Sequence, residues 1–280
     1  MQNTGTARHR QRRERYELRV EKEQIRIYVG KFFRNFRNEK GWFTLIGALI
    51  IPFLACAVAG EEAFRQEYGT RTVSFILVSA CIWIGIFNSL TVVCKEREII
   101  KHEYRAGLDL SAYVAAHMIF QGFLTLVETV IVSAVTFAAY HGNISNIGKG
   151  GALGVFRFAG LFITFLLCIY AADMLGILVS SIVKKSETAM TVMPFILVLQ
   201  LVFAGNIPLS DRMDTVSYLT LSRWGYNAML DISNTTLRSG WFFKEAATRF
   251  PMCWIALILF TALYAFLARA FLKLIDRDVR

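Results

Sequence analysis

The chain has 280 residues, 55% of them apolar and 19% charged, with a formal net charge of +10. With a mean hydropathy of +0.45, this composition excludes an ordinary soluble domain, in which about 25% of residues are charged and long apolar runs are not repeated. The basic excess sits in alternate connections between those runs, so membrane topology explains it better than nucleic-acid binding does.

Residues 1–23 form a basic, Arg-rich tail, too polar for the core of a cleavable signal and suited to anionic headgroups. Over residues 24–40, Ile25, Val29, Phe32, Phe33 and Phe36 recur at helical spacing, with Arg26, Lys31, Arg34 and Arg37 opposite. That pattern predicts an amphipathic helix in the interface plane with its aromatics dipped into lipid. Residues 41–280 carry six apolar runs: Trp42–Gly60, Val73–Cys94, Tyr113–Tyr140, Phe156–Val183, Thr188–Pro208 and Met252–Ile275. A span needs about 20 such residues, and in lipid each segment must satisfy its own backbone. The expected fold is therefore all-α integral membrane with six transmembrane helices. Lys and Arg crowd the first 40 residues, Lys95–Arg105, Lys184–Lys185 and the tail from Arg269, which places both termini in the cytoplasm.

Between the second and third runs lies Cys94–Gly107, dense in charge. Drawn as a helix, it puts Glu96, Ile99, Ile100, Glu103 and Tyr104 on one face and Glu98, Lys101, His102 and Arg105 on the other. Apolar side chains set among charges need cover, which predicts a docking partner on the cytoplasmic side. Within the spans, Glu128 and Asp173 are ionisable, and His117 lies near the start of the third. Ser79, Asn88 and Ser89 in the second run, and Thr191, Gln200 and Asn206 in the fifth, suggest an inner cavity lined by Trp83, Phe87, Phe195 and Phe203. The connection His141–Val155 is Gly-rich and reads as flexible. The long connection from Ser210 to Phe250 has enough apolar content to fold back on the outer face. The cysteines Cys56, Cys81, Cys94, Cys168 and Cys253 all fall in or beside spans and read as packing residues rather than ligands or staples. No phosphate loop, nucleophile elbow or metalloprotease motif occurs, so no catalytic residues and no metal site are expected.

The segment Lys95-Glu-Arg-Glu-Ile-Ile-Lys-His-Glu-Tyr-Arg-Ala-Gly107 followed by Tyr113, the segment Phe203-Ala-Gly205-Asn-Ile-Pro208, and Ser222-Arg-Trp-Gly-Tyr-Asn-Ala228 together resemble the membrane domain of type-2 ABC transporters, in the subfamily G (white/pigment, multidrug) arrangement. The resemblance covers nearly the whole chain after residue 24. It implies a connecting helix over residues 24–40, a cytoplasmic coupling helix and a re-entrant outer loop. It implies coupling to an ATPase through Glu96, Arg97, His102, Glu103 and Tyr104, and a substrate cavity at a permease dimer axis lined by Cys81, Ile84, Asn88, Val198 and Leu201. Asn206 and Ile207 match its outer gate. The implied partners are two copies of a cassette ATPase subunit, which would bind ATP and Mg, and a second permease chain, homodimeric or related. An exporter of amphipathic lipids, peptides or drug-like molecules in the plasma (inner) membrane is the resulting expectation. The residues alone also admit an ion-coupled carrier or channel using Glu128 and Asp173, or a membrane scaffold.

Overall fold

The structure, a computed structural model, describes residues 3–38, 41–60, 63–64, 67–146, 151–206, 210–233 and 250–274. Among these, every regular element is a helix: α1 (Asn3–Asn38), α2 (Trp42–Ala59), α3 (Glu67–Ser89), α4 (Val92–Lys95), α5 (Arg97–Arg105), α6 (Leu110–Asn146), α7 (Gly151–Ile182), α8 (Ser186–Val202), α9 (Asp211–Ser217), α10 (Leu221–Ser233) and α11 (Phe250–Leu272). Among the described residues five segments are long and apolar enough to cross a membrane: Trp42–Ala59, Tyr68–Lys95, Leu110–Tyr140, Phe158–Ile182 and Pro251–Leu272. The sixth expected span, Thr188–Pro208, yields instead the 17-residue helix α8, shorter than the rest. Beyond Val202 the chain turns, with Gly205 at φ +92°, a conformation that ends a helix and favours glycine.

At the heart of the bundle α3 crosses α7. The crossing is close because both helices present small residues one turn apart, Gly85 and Ser89 on α3, Ala172 and Gly176 on α7. A methyl at Gly85 would run into the Ile169 carbonyl and lie 2.8 Å from the Ala172 methyl. Where lipid tails are as apolar as leucine, such small-residue contacts hold helices together by backbone proximity. The surrounding core holds Leu77, Cys81, Ile82, Phe165 and Ile169, and α10 closes it at one end. That helix is buried along most of its length. Glycine at 225 admits it, since a methyl there would sit 2.6 Å from the Cys168 sulfur and 2.9 Å from Val78.

A second core forms at the opposite end, where α1 lies on α6. Here the expectation of aromatics dipped into lipid is corrected. Phe32 is buried, stacks on His117 at 3.9 Å between centroids, and meets Tyr113 edge-on. Phe33 and Phe36 lean on Phe120. The stripe that reads as a lipid face is largely a protein contact, because α6 offers aromatics at matching spacing. Helix α1 also begins at Asn3, well before Gln24, and α6 and α7 extend into the Gly-rich 141–155 segment, leaving only 147–150 undescribed.

Candidate coupling site

The break between α3 and α5 is fixed by α7. The chain turns at Leu90 and Thr91, and the first N–H groups of α4, which have no intrahelical acceptor, find one in a side chain. Both Val93 N–H and Cys94 N–H donate to Ser180 Oγ, each at 3.0 Å. One step on, Arg97 Nη1 donates to the carbonyls of Ser181 and Val183 at 3.1 and 3.2 Å. These are carbonyls at the end of α7 that lack helical donors, and a guanidinium is well matched to them electrostatically.

From there α5 is fastened to α1 and α6. The Tyr28 hydroxyl donates to Glu103 Oε2 at 2.5 Å, at the short limit for a hydroxyl on a carboxylate. The Tyr113 hydroxyl donates to Glu96 Oε2 at 3.1 Å, and Lys31 Nζ stands 3.3 Å from Glu96 Oε1. Gln24 spans the turn after α5: its amide donates to the Gly107 carbonyl at 3.3 Å and its oxygen accepts from Asp109 N–H at 3.0 Å. Gly107 takes φ +106° there, and Asp109 Oδ1 then caps α6 by accepting from Ser111 N–H at 2.8 Å. Burial, and then Glu103, raise the Tyr28 hydroxyl above its ordinary value of 10.0, so it remains a donor at neutral pH.

The two faces of α5 follow the expected division except at Ile99, and α1 and α6 of the same chain supply the cover expected of a docking partner. Ile100 is fully buried, and Glu96 and Glu103 turn inward onto α6 and α1. Glu98 and His102 are exposed, Arg105 is exposed beside them, and Ile99 is 49% exposed. Tyr104 is half-buried at the edge of the second core. Of the five residues expected to meet an ATPase, His102 alone points fully outward. Glu96, Arg97 and Glu103 join α5 to the long helices behind it. The roles of Tyr28, Gln24 and Ser180 have no counterpart in the sequence reading. The signal for Tyr28 was its place on the Gln24–Tyr28–Lys31 side of α1, which carries polar tips next to the aromatic stripe.

The pathway residues divide too. Cys81 and Ile84, 0% and 3% exposed, point into the α3–α7 core and line no free face, a correction that follows from the helix period. The free side of α3 carries Trp83 and Phe87, four residues apart. On α8, Phe195 and Val198 are 70% and 56% exposed, and Leu201 is half-buried. Asn88 is half-buried and its amide donates to Glu128 Oε1 at 2.7 Å. Asp173 accepts from Thr125 Oγ1 at 2.6 Å and from Gln121 Nε2 at 3.4 Å. Both acids are thus held inside the α3–α6–α7 junction. At the far end, Asn206 Oδ1 accepts from the Tyr226 hydroxyl at 3.3 Å, while Ile207 lies outside the described residues. Beside it Arg223 pairs with Asp214 at 2.9 Å and lies 5.2 Å from the centre of the Tyr218 ring.

Comparison with known proteins bears on this arrangement. Residues 23–233 match the ABC-2 type transporter membrane family. The chain is also 26% identical over 228 residues to the ABC transporter ATP-binding/permease protein Rv1747 of Mycobacterium tuberculosis. That match covers 75% of this chain and 24% of the relative, so the chain spans about a quarter of the relative's length.

Proposed function

The chain belongs to the ABC-2 type transporter family, and from that premise we propose that it is the permease subunit of an ATP-driven exporter resembling the subfamily G arrangement. It is a multi-pass membrane protein and a transporter permease; the energy source, direction and substrate class belong to the proposal. Two cassette ATPase subunits bind ATP and Mg and dock on the outer face of α5. A second permease chain, homodimeric or related, completes the pathway. Both termini face the cytoplasm of a cell whose plasma (inner) membrane carries the complex.

The observation that supports this reading most strongly is how α5 is held. Its inner face is tied to α1 through Tyr28, Lys31 and Gln24, to α6 through Tyr113, and to the end of α7 through Arg97. A push delivered to Glu98, His102 and Arg105 reaches three long helices without passing through a flexible loop. Glu96, Arg97, Glu103 and Tyr104 act in this scheme as transmitters, with His102 at the contact. The substrate path follows Val198 and Leu201 of α8 together with Asn88, Trp83 and Phe87 of α3, and Asn206 with Ile207 closes it outward. An apolar, aromatic path with few charges suits amphipathic lipids, peptides or drugs.

The test is flux in proteoliposomes containing the permease with a co-purified cassette ATPase. Transport that requires hydrolysable ATP and ignores imposed proton or sodium gradients supports the proposal. Gradient-driven flux through the permease alone would replace it with an ion-coupled carrier.

A further inference from the structure

Between α1, α3, α6 and the start of α2 lies a cavity of about 500 Å³, within the range of small-molecule sites. Lys31 and Lys95 stand at its rim, where α2 begins and the span Tyr68–Lys95 ends, which is headgroup depth. Phe87, Phe120 and Leu124 make an apolar slot beneath. Among the described residues, three buried polar atoms on this lining have no hydrogen-bond partner, both ring nitrogens of His117 and Gln121 Oε1, while Lys31 Nζ has its ion pair with Glu96. His117 and Gln121 are each 1% exposed. Buried polar atoms in folded proteins are nearly always satisfied. Here the orphans share one wall system with a mouth that carries Lys31, Lys95 and Glu96, net basic, and with an aromatic floor.

We propose that this cavity holds one anionic phospholipid of the leaflet at the α5 end, its phosphate between Lys31 and Lys95. The two ammonium groups complement the phosphate charge. One and two helical turns deeper along α6, His117 and Gln121 face the glycerol ester region and supply its polar partners. The acyl chain leaves along Phe87, Phe120 and Leu124. The site is separate from the path along α8 and the free side of α3 except at Phe87 and Asn88, where the two adjoin. Because Lys31 also stands 3.3 Å from Glu96, a bound phosphate competes for Lys31 and loosens one of the ties between α5 and α1.

The test uses native mass spectrometry of the purified full chain in detergent, titrated with phosphatidylglycerol, phosphatidylcholine or inorganic phosphate. A single saturable phosphatidylglycerol adduct per chain is expected, with phosphatidylcholine several-fold weaker. Lys95→Gln, at an exposed position where the fold is not at risk, raises the half-saturating lipid concentration by roughly fivefold. Lys31→Gln does the same. Arg34→Gln, on an adjoining groove that shares Phe36, Phe120 and Leu124 with the cavity but neither lysine, leaves it unchanged. Equal binding of the two lipids, a native response in both lysine variants, or an equal loss in Arg34→Gln would overturn the site. Displacement of the lipid by millimolar inorganic phosphate alone would overturn the lipid assignment in favour of a free phosphate. None of these readouts involves ATP or transport, so failure here and failure of the exporter reading are distinguishable.

Discussion

Replacing Tyr28 by Phe removes one hydroxyl and leaves the ring packed against Tyr113 and Phe32. The bond lost is the 2.5 Å contact to Glu103, the shortest tie between α1 and α5. A hydrogen bond to a charged group contributes about 1.5–3 kcal/mol net. Glu103 is half-exposed and water can replace the phenol, so the low end applies, about 1.5 kcal/mol, which is roughly tenfold in an opening equilibrium. Hydrogen exchange of the α1 amides over residues 24–38 reads that equilibrium directly. Tyr28→Phe and Glu103→Ala should each speed exchange about tenfold, and the double variant no further. If the two effects multiply to about a hundredfold, or if neither variant changes exchange, the clamp does not exist as described. The pH dependence has a fixed sign. A hydroxyl whose folded value is raised above 10.0 contributes its stabilisation fully below that value and loses it as pH climbs further. Protection of α1 should stay flat from about pH 7 to 9 and decline in more alkaline solution.

Gly85→Ala should lower stability by about 2 kcal/mol in detergent melting, because its methyl meets the Ile169 carbonyl, which cannot yield. Gly30→Ala, inside α1 with nothing within 4 Å, should raise it by about 0.5–1 kcal/mol; the reverse order would contradict the described crossing. Gly205→Ala meets both a φ of +92° and the Arg223 side chain, whereas Gly60→Ala, at φ +71°, meets open space. The melting temperature should fall more at 205, and equal losses would mean Arg223 is not packed there. Glu128→Gln keeps an acceptor for the Asn88 amide and should melt and transport like the native chain, while Glu128→Leu orphans that amide at about 1–3 kcal/mol. A Glu128→Gln protein that is stable but transports nothing would assign the carboxylate a charge-carrying role.

Much of the architecture is legible in the sequence, since long apolar runs separated by polar segments leave little choice in a membrane. The charged helix α5 is legible too, as are the buried acids. Two kinds of feature are not. What covers the inner face of α5 depends on partners 75 and 83 residues away, such as Tyr28 and Gln24; helical spacing puts Glu103 and Glu98 on opposite faces but does not say whether this chain or a docking partner meets Glu103. Periodicity likewise cannot say whether an apolar stripe meets lipid or protein, so Phe32 reads as a membrane anchor until α6 is beside it, and Cys81 and Ile84 read as lining until α7 is. Helix α8 ends at Val202 and the chain then turns by way of Gly205, a stop that the apolar composition of the run does not announce.

Since transmission through α5 requires something to push on it, the most direct measurement places a photo-crosslinking amino acid at Glu98, His102 and, as an inward control, Ile100, in cells producing the complete transporter. Adducts to a nucleotide-hydrolysing subunit from positions 98 and 102, and none from 100, are the result expected. Adducts from 100 alone, or labelling of 98 and 102 only by reagents confined outside the cell, would contradict the coupling role of this helix.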